Sequence, residues 1–334
     1  MATSTLSSLR IPLYITGFAF IFYLLVSNKS FADNTSHPHN ELPEGVLLGQ
    51  PFNLDPNVPP GKNFDLLDWY LTLPIDSDKN GNADRVMEPI LDRGFEFKPL
   101  FYTASDGGMV FASPNYGATT SKNTKYVRTE LREMLRRGNM RIKGQGVNKN
   151  NWVFGNMHFS GQKKAAAVGG SLEATLKVDR VSTTGDIKKV GRVIIGQIHA
   201  IKDEPIRLYY RKLPQNNKGT IYFAHEINGA DDEWHSIIGT RSHTSASPED
   251  GIALGEMFSY KISVEVDQLY VTLIREGKSN ITRHVDMSES GYHLSNQYMY
   301  FKAGVYNQNN TGAENDYVQA TFYHLHNTHD GYEK

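Results

Sequence analysis

The amino-acid sequence predicts an all-β fold, a sandwich or jelly roll, over most of its 334 residues. From Asn63 onward, short runs of Val, Ile, Tyr, Phe and Thr are separated by clusters of Gly, Asn and Asp, a pattern typical of strands joined by turns. No stretch carries a long apolar stripe with the 3.6-residue period of a helix. We therefore expect strands at 68–73, 109–111, 126–134, 151–160, 170–178, 190–200, 206–212, 220–225, 257–266, 268–276, 297–306 and 317–326.

The N-terminus has the features of a secretory signal peptide. A polar stretch with one positive charge, Arg10, precedes the apolar run 11–26, and small residues stand at Ser30 and Ala32. We predict a signal peptide at 1–32 that is removed after Ala32, and hence a secreted, extracellular protein. The alternative is an uncleaved membrane anchor, although the run is shorter than the ~20 residues that span a bilayer.

The next segment, 33–62, is rich in Asn, Pro and His and lacks periodicity, so we predict a flexible N-terminal segment before one domain at 63–329. The net charge of -1 argues against a nucleic-acid binder, which is normally basic. The absence of cysteine excludes disulfides, thiolate metal sites and thiol catalysis. No protein partner is implied.

Two predicted strands carry unusual polar faces. Residues two apart in a strand share a face. In 300–308, apolar side chains at 301, 303 and 305 form one face, and Tyr300, Lys302, Tyr306 and Gln308 form the other. In 126–133, the polar face carries Arg128, Glu130 and Arg132. Arginine suits bidentate capture of carboxylates, although a surface ion-pair ladder is the alternative interpretation.

A third segment, 193–199, begins as an apolar run and then places Gln197 and His199 on a shared face. Together the three segments supply Arg, Gln, His, Tyr and Lys, which fits β-elimination on a uronic acid. That reaction removes the proton on carbon 5 and expels the glycosidic oxygen on carbon 4. Arg128 and Gln197 can neutralise the carboxylate, and His199 and Tyr306 can share the roles of base and acid.

The strings RTELR (128–132), QIH (197–199) and YFKAGVYNQ (300–308) resemble the marker segments of the alginate lyases of polysaccharide lyase family 7, in the family's order. The resemblance runs from about residue 64 to about residue 326. It implies a β-jelly roll sandwich with a concave substrate-binding face. It also implies alginate, an acidic polysaccharide, as the substrate, and products with an unsaturated uronate at the non-reducing end.

By position, the resemblance makes Arg128 and Gln197 the carboxylate-binding residues, His199 a base, and Tyr306 the acid or an acid-base. It also implies supporting or substrate-contacting residues, namely Glu130, Arg132, Lys302 and Gln308. The isoleucine in QIH implies a preference for guluronate-containing blocks. A further subsite could be lined by Arg207, Tyr209 and Arg211, unless their strand simply faces solvent.

The sequence also allows three other interpretations. The loop from Asp76 to Asp84 imitates the first part of a calcium loop, but Met87 stands where a glutamate is usual, so we expect a polar turn and no required cofactor or metal. A jelly-roll glycosidase needs two carboxylates flanking the bond, for which Glu265 and Asp267 are the best candidates. A non-catalytic carbohydrate-binding module would not need both a histidine base and a tyrosine acid.

Overall fold

The computed structural model describes residues 42–334; the predicted signal peptide and residues 33–41 lie outside the described part. The strands, in chain order, are β1 (Trp69–Leu73), β2 (Asp84–Val86), β3 (Phe101–Thr103), β4 (Met109–Pro114), β5 (Arg128–Glu133), β6 (Trp152–Val153), β7 (Ala167–Arg180), β8 (Arg192–His199), β9 (Ile206–Arg211), β10 (Lys218–Glu226), β11 (Asp232–Ile238), β12 (Ile252–Ala253), β13 (Met257–Glu265), β14 (Gln268–Ile274), β15 (Ile281–Asp286), β16 (Tyr300–Asn307) and β17 (Tyr317–Asp330). The helices are α1 (Pro60–Asn63), α2 (Glu88–Asp92) and α3 (Phe159–Lys164).

The strands form two sheets. The first, which we call the site sheet, has the order β11-β10-β9-β8-β16-β5-β1-β2, with β12 beside β10. The second, the back sheet, has the order β15-β14-β13-β7-β17-β4-β3, with β6 beside β7. All strand pairs are antiparallel except β6 with β7. The predicted all-β jelly roll is confirmed.

The core lies between the two sheets and is built from the alternate residues that the sequence predicts. Phe301, Ala303 and Val305 of β16 are fully buried. From the back sheet, the rings of Phe111 and Phe322 meet at 5.2 Å between centroids. Because side chains alternate along each strand, burying these residues turns the polar set of β16 toward the outer face of the site sheet.

One predicted strand is wrong over most of its length. The region 151–160 contains only the two-residue strand β6 and then enters helix α3. The imidazole of His158 accepts a hydrogen bond from the backbone N–H of Ser160 and so caps α3. A histidine cap is a weaker sequence signal than Ser, Thr, Asp or Asn, and the apolar residues here resembled a strand.

Part of the predicted flexible segment, at Leu48, is hydrogen-bonded to the outer face of the back sheet. The backbone N–H of Leu48 donates to Ser259 Oγ at 3.0 Å, and Thr175 Oγ1 donates to the carbonyl oxygen of Leu48 at 2.7 Å. Leu47 is buried. The composition of the segment could not reveal these hydroxyl partners. Across residues 42–334, none of the helices has the length and apolar character that a membrane span requires.

Candidate active site

Three neighbouring strands bring the predicted residues together on the outer face of the site sheet. Between β16 and β5, Tyr306 lies opposite Arg128 and Lys302 lies opposite Arg132. Between β16 and β8, Tyr300 lies opposite His199. Directly opposed residues share a face, so these side chains point the same way. They line a cleft of about 800 Å³, together with Gln308.

Gly304 allows β16 to approach β5 closely at this point. Its φ of 131° is in a region that favours glycine. A Cβ atom there would come within 2.8 Å of the carbonyl oxygen of Thr129. The absence of a side chain at Gly304 therefore lets β16 pack against the backbone of β5 and the ring of Phe111.

Glu130 lies beneath the cleft floor and organises the donors around it. It is 1% exposed and accepts hydrogen bonds from Arg128 Nη1 at 3.0 Å, from Gln197 Nε2 and from Lys302 Nζ. Burial raises its pKa, but Lys302 and Arg128 outweigh burial and hold the pKa below its usual value. Glu130 is thus a buried carboxylate in contact with three other site residues.

Gln197 is one of the residues that contact Glu130. It is fully buried opposite Lys302, and its Nε2 donates to Glu130. Its Oε1 has no hydrogen-bond partner within residues 42–334, and the same holds for Arg128 Nε and Gln308 Nε2. Buried polar atoms are rarely left unpaired. These atoms are therefore candidates for contact with a bound ligand.

Arg128 and Tyr306 form the centre of the cleft. The guanidinium carbon lies 3.5 Å from the centroid of the Tyr306 ring. Burial raises the pKa of Tyr306, although the nearby Arg128 partly offsets it, so the phenol keeps its proton at neutral pH. Beside them, burial and Arg128 lower the pKa of Lys302 to about 8, although Glu130 acts in the opposite direction.

His199 is held by contacts on two sides. Its Nδ1 lies 2.6 Å from the carbonyl oxygen of Ala200, which can only accept, so Nδ1 carries the proton. Its ring stacks on Tyr300 at 5.1 Å. Burial lowers its pKa to about 3, with Lys302 and Arg128 contributing in the same direction. The imidazole is therefore neutral, and its Nε2 is a proton acceptor.

Arg132 lines the cleft beside His199. Its Nη2 donates to the carbonyl oxygen of Gly144 at 2.7 Å and to Asn151 Oδ1 at 3.2 Å. Its guanidinium carbon lies 3.8 Å from the centroid of Tyr300. Because neutral partners hold it, Arg132 brings a full positive charge to the cleft wall.

The structure does not assemble the predicted further subsite. Arg207 reaches the cleft, but its guanidinium is paired with Glu204, Glu226 and Asp232. Tyr209 stacks on Tyr222 at 5.0 Å, and Arg211 donates to two backbone carbonyls, from Arg241 and Ile187, each at 2.7 Å. Neither of these last two lines the cleft. In this structure, acids and aromatics of neighbouring strands and backbone carbonyls are thus the partners of these three side chains.

Tyr70 and Glu204 are among the cleft residues that the sequence prediction missed. Tyr70 of β1 lies opposite Arg132, and the alternation of Trp69, Leu71 and Leu73 in the core could have revealed it. Glu204 lies in the loop between β8 and β9, and its Oε1 is 3.2 Å from His199 Nε2. Loops carry no such period, so no pattern in the sequence pointed to Glu204.

The candidate glycosidase carboxylates and the calcium-like loop lie outside the cleft. Glu265 ends β13 in the back sheet, and Asp267, in the turn that follows, accepts a hydrogen bond from Asn156 Nδ2 at 2.7 Å. The carboxylate oxygens of Asp76, Asp78 and Asp84 lie within 4.8 Å of one another. Asp76 accepts from the backbone N–H groups of Asn80 and Gly81, each at 2.9 Å. The acidic loop thus closes a turn through its own backbone.

Comparisons with known proteins identify the family. The sequence model of the family described as alginate lyase matches residues 64–329. An alginate lyase of Klebsiella pneumoniae is 54% identical over 279 residues, which are 81% of this chain and 91% of that protein. The crystal structure of the alginate lyase from Klebsiella pneumoniae has a TM-score of 0.80 at 54% identity, covering 82% of this chain and 100% of that one.

More distant structures agree. Alginate lyase A1-II', a member of polysaccharide lyase family 7, has a TM-score of 0.58 at 26% identity and covers 82% of this chain and 99% of its own. An alginate lyase from Pseudomonas aeruginosa has a TM-score of 0.58 at 27% identity and covers 80% and 100%. The protein is an enzyme that cleaves alginate, as its sequence predicts, and the chain belongs to the alginate lyases of polysaccharide lyase family 7.

Proposed function

We propose that the cleft between β8, β16 and β5 performs the β-elimination, with Arg128 and Gln197 neutralising the uronate carboxylate and Lys302 as a third donor. The convergence of these three residues on Glu130 supports this assignment. Each retains N–H groups beyond the one given to Glu130, because guanidinium, ammonium and amide groups carry five, three and two. A uronate carboxylate at the floor of the cleft would share these donors with Glu130.

The protonation states favour His199 as base and Tyr306 as acid. Nδ1 of His199 is committed to the carbonyl of Ala200, which leaves Nε2 as the acceptor. Tyr306 has a raised pKa and holds a proton to give. In the elimination, the C5–H bond breaks and its proton goes to Nε2. Its electron pair forms the C4–C5 double bond as the C4–O bond breaks, and Tyr306 protonates the leaving oxygen.

A base and an acid on separate residues suit guluronate better than its C5 epimer, mannuronate. In guluronate the C5 proton and the oxygen on C4 lie on opposite faces of the ring, whereas in mannuronate they lie on the same face. A base and an acid on different strands serve the first arrangement, and Tyr306 alone could serve the second. The neutral His199 beside a protonated Tyr306 therefore supports a preference for guluronate-containing blocks.

The test is Tyr306→Phe, which removes only the phenolic hydroxyl. On guluronate blocks we expect the ultraviolet absorbance of the unsaturated product to appear about 10²–10⁴-fold more slowly, because general acids contribute that much. Binding of alginate should persist, since Arg128 and Lys302 are unchanged. A variant that turns over like the parent would show that another group is the acid.

We also propose that the enzyme is secreted and requires no cofactor. The signal-peptide pattern of residues 1–32 supports the first point. Protein recovered from the culture medium should begin at Asp33; a chain that retains residue 1 would contradict cleavage and favour a membrane anchor. The proposal that no cofactor is required is supported by the carboxylate-binding donors, the base and the acid, all of which are side chains of the protein.

A further inference from the structure

Glu204 is a cleft residue with no place in the scheme above. It stands in the loop between β8 and β9, and its carboxyl group touches the proposed base, with Oε1 at 3.2 Å from His199 Nε2. Since Nδ1 donates to Ala200, neutral His199 has no proton on Nε2. A hydrogen bond from Nε2 to Oε1 therefore forms once the imidazole takes up a proton on Nε2.

A second carboxyl group lies beside Glu204 and can share a proton with it. Glu226, at the end of β10, accepts a hydrogen bond from the backbone N–H of Glu204 at 3.2 Å. Its own N–H donates to the carbonyl of Glu204 at 3.3 Å. Burial, and then Glu204, raise the pKa of Glu226 to about 7. Two carboxyl groups held this closely share a proton more readily than they both ionise.

Arg207 keeps the pair in place. Its Nη1 lies 3.4 Å from Glu204 Oε2 and 3.7 Å from Glu226 Oε2, and its other nitrogen pairs with Asp232. Other charged groups face the pair across the cleft, from β16 and β5: Lys302 and Arg128. Arg207, predicted as a substrate-binding residue, is thus the anchor of an acidic pair next to the base.

We propose that Glu204 is a positioning residue for His199, and that the Glu204–Glu226 pair accepts the proton that His199 has taken from C5. The proposal rests on the proposed role of His199 as base. The Glu204 carboxylate lies against Nε2 and accepts a hydrogen bond from it once His199 has taken the proton, which orients the imidazolium. After elimination, the imidazolium N–H passes its proton to the pair and then to solvent, while Tyr306 regains a proton from solvent. Protons balance over the cycle, and no oxidant is involved.

The test compares Glu204→Gln with Glu233→Gln as a matched control. Glu233, on β11, is exposed, so its substitution removes the same charge without touching His199. For Glu204→Gln on guluronate blocks, we expect kcat to fall about tenfold or more, as part of the 10²–10⁴-fold that an oriented base supplies. KM should not rise, because losing a negative charge favours a polyanion. Mannuronate blocks, which need no separate base, should react as before.

The pH profile gives a second readout. A carboxylate beside an imidazole favours the imidazolium, so the neutral amide should move the acid limb of kcat/KM to lower pH. Parent-like kcat and pH profile on guluronate blocks would overturn the proposal, and so would an equal loss on both blocks. A third variant, His199→Gln, distinguishes failure of the base assignment from failure of the present proposal. If it reacts like the parent, the base assignment fails; if it is inactive while Glu204→Gln is parent-like, only the present proposal fails.

Discussion

Replacing Glu130 with glutamine tests the central claim about how the cleft is organised. The substitution keeps the volume of the side chain and removes the charge that faces Arg128 and Lys302. Both cations are more than nine-tenths buried, so water cannot replace the lost carboxylate. We expect a loss of stability and a loss of turnover, from the same cause.

The magnitude follows from burial. Removing one partner of a buried ion pair costs about 3–5 kcal/mol, because the remaining charge is left uncompensated. Lys302 can relieve part of this cost by losing its proton, since its pKa is about 8 with Glu130 present and falls further without it. We therefore expect the free energy of unfolding to drop by about 3 kcal/mol at pH 6. The drop should shrink above pH 8, where Lys302 is neutral in both proteins.

The assay is urea unfolding with linear extrapolation, at pH 6 and pH 9, beside kcat/KM on alginate. Glu133→Gln is the matched control. Glu133 is also buried on β5, but it faces the core, where His329 Nε2 and Asn327 Nδ2 donate to it at 2.8 and 2.7 Å. Both variants should lose stability, but only Glu130→Gln should lose kcat/KM, by about 10²-fold for misplaced donors. A Glu130→Gln enzyme that keeps parent stability and turnover would refute the reasoning.

Two further predictions concern charge in and near the cleft. Lys302 loses its proton near pH 8, so kcat/KM should decline through that pH, and Lys302→Arg, which stays charged, should retain kcat/KM at pH 9; a parent-like decline in the variant would assign the limb to another group. EDTA should leave kcat unchanged, because the proposed steps use only side chains of the protein, and a loss that calcium restores would instead make the Asp76, Asp78 and Asp84 loop a metal site that the reaction needs.

The sequence predicted the site where strands are regular. Alternation on β16 placed Phe301, Ala303 and Val305 in the core, and the register then sets Tyr306 beside Arg128. On β8 the period breaks, because the pairing shifts between Ile194 and Gly196. Ile194 consequently packs on the outer face, near Tyr306, while Ile195 enters the core. The run of apolar letters concealed this change of face, although the prediction for His199 was unaffected.

What the sequence could not predict depends on contacts between separate elements. The pattern of β9 shows three polar side chains but not the three acids, from a loop, β10 and β11, that surround Arg207. Likewise, the string RTELR shows a glutamate between two arginines. It does not show that Gln197 and Lys302 also converge on that glutamate from strands 67 and 172 residues further along the chain, as the numbering gives.

These contacts also explain how a protein with a net charge of -1 can act on a polyanion. Positive charge is concentrated where β5 and β16 meet, at Arg128, Arg132 and Lys302, and only one of the adjacent acids, Glu130, lies beneath them. The other acids gather around Arg207 at the neighbouring strands. A low-dielectric floor concentrates the field of such a cluster, so local arrangement rather than total charge governs attraction of the substrate. In the proposed mechanism, a uronate carboxylate is drawn to the position where Arg128 and Lys302 can neutralise it, and its C5 proton would then lie near His199, the proposed base.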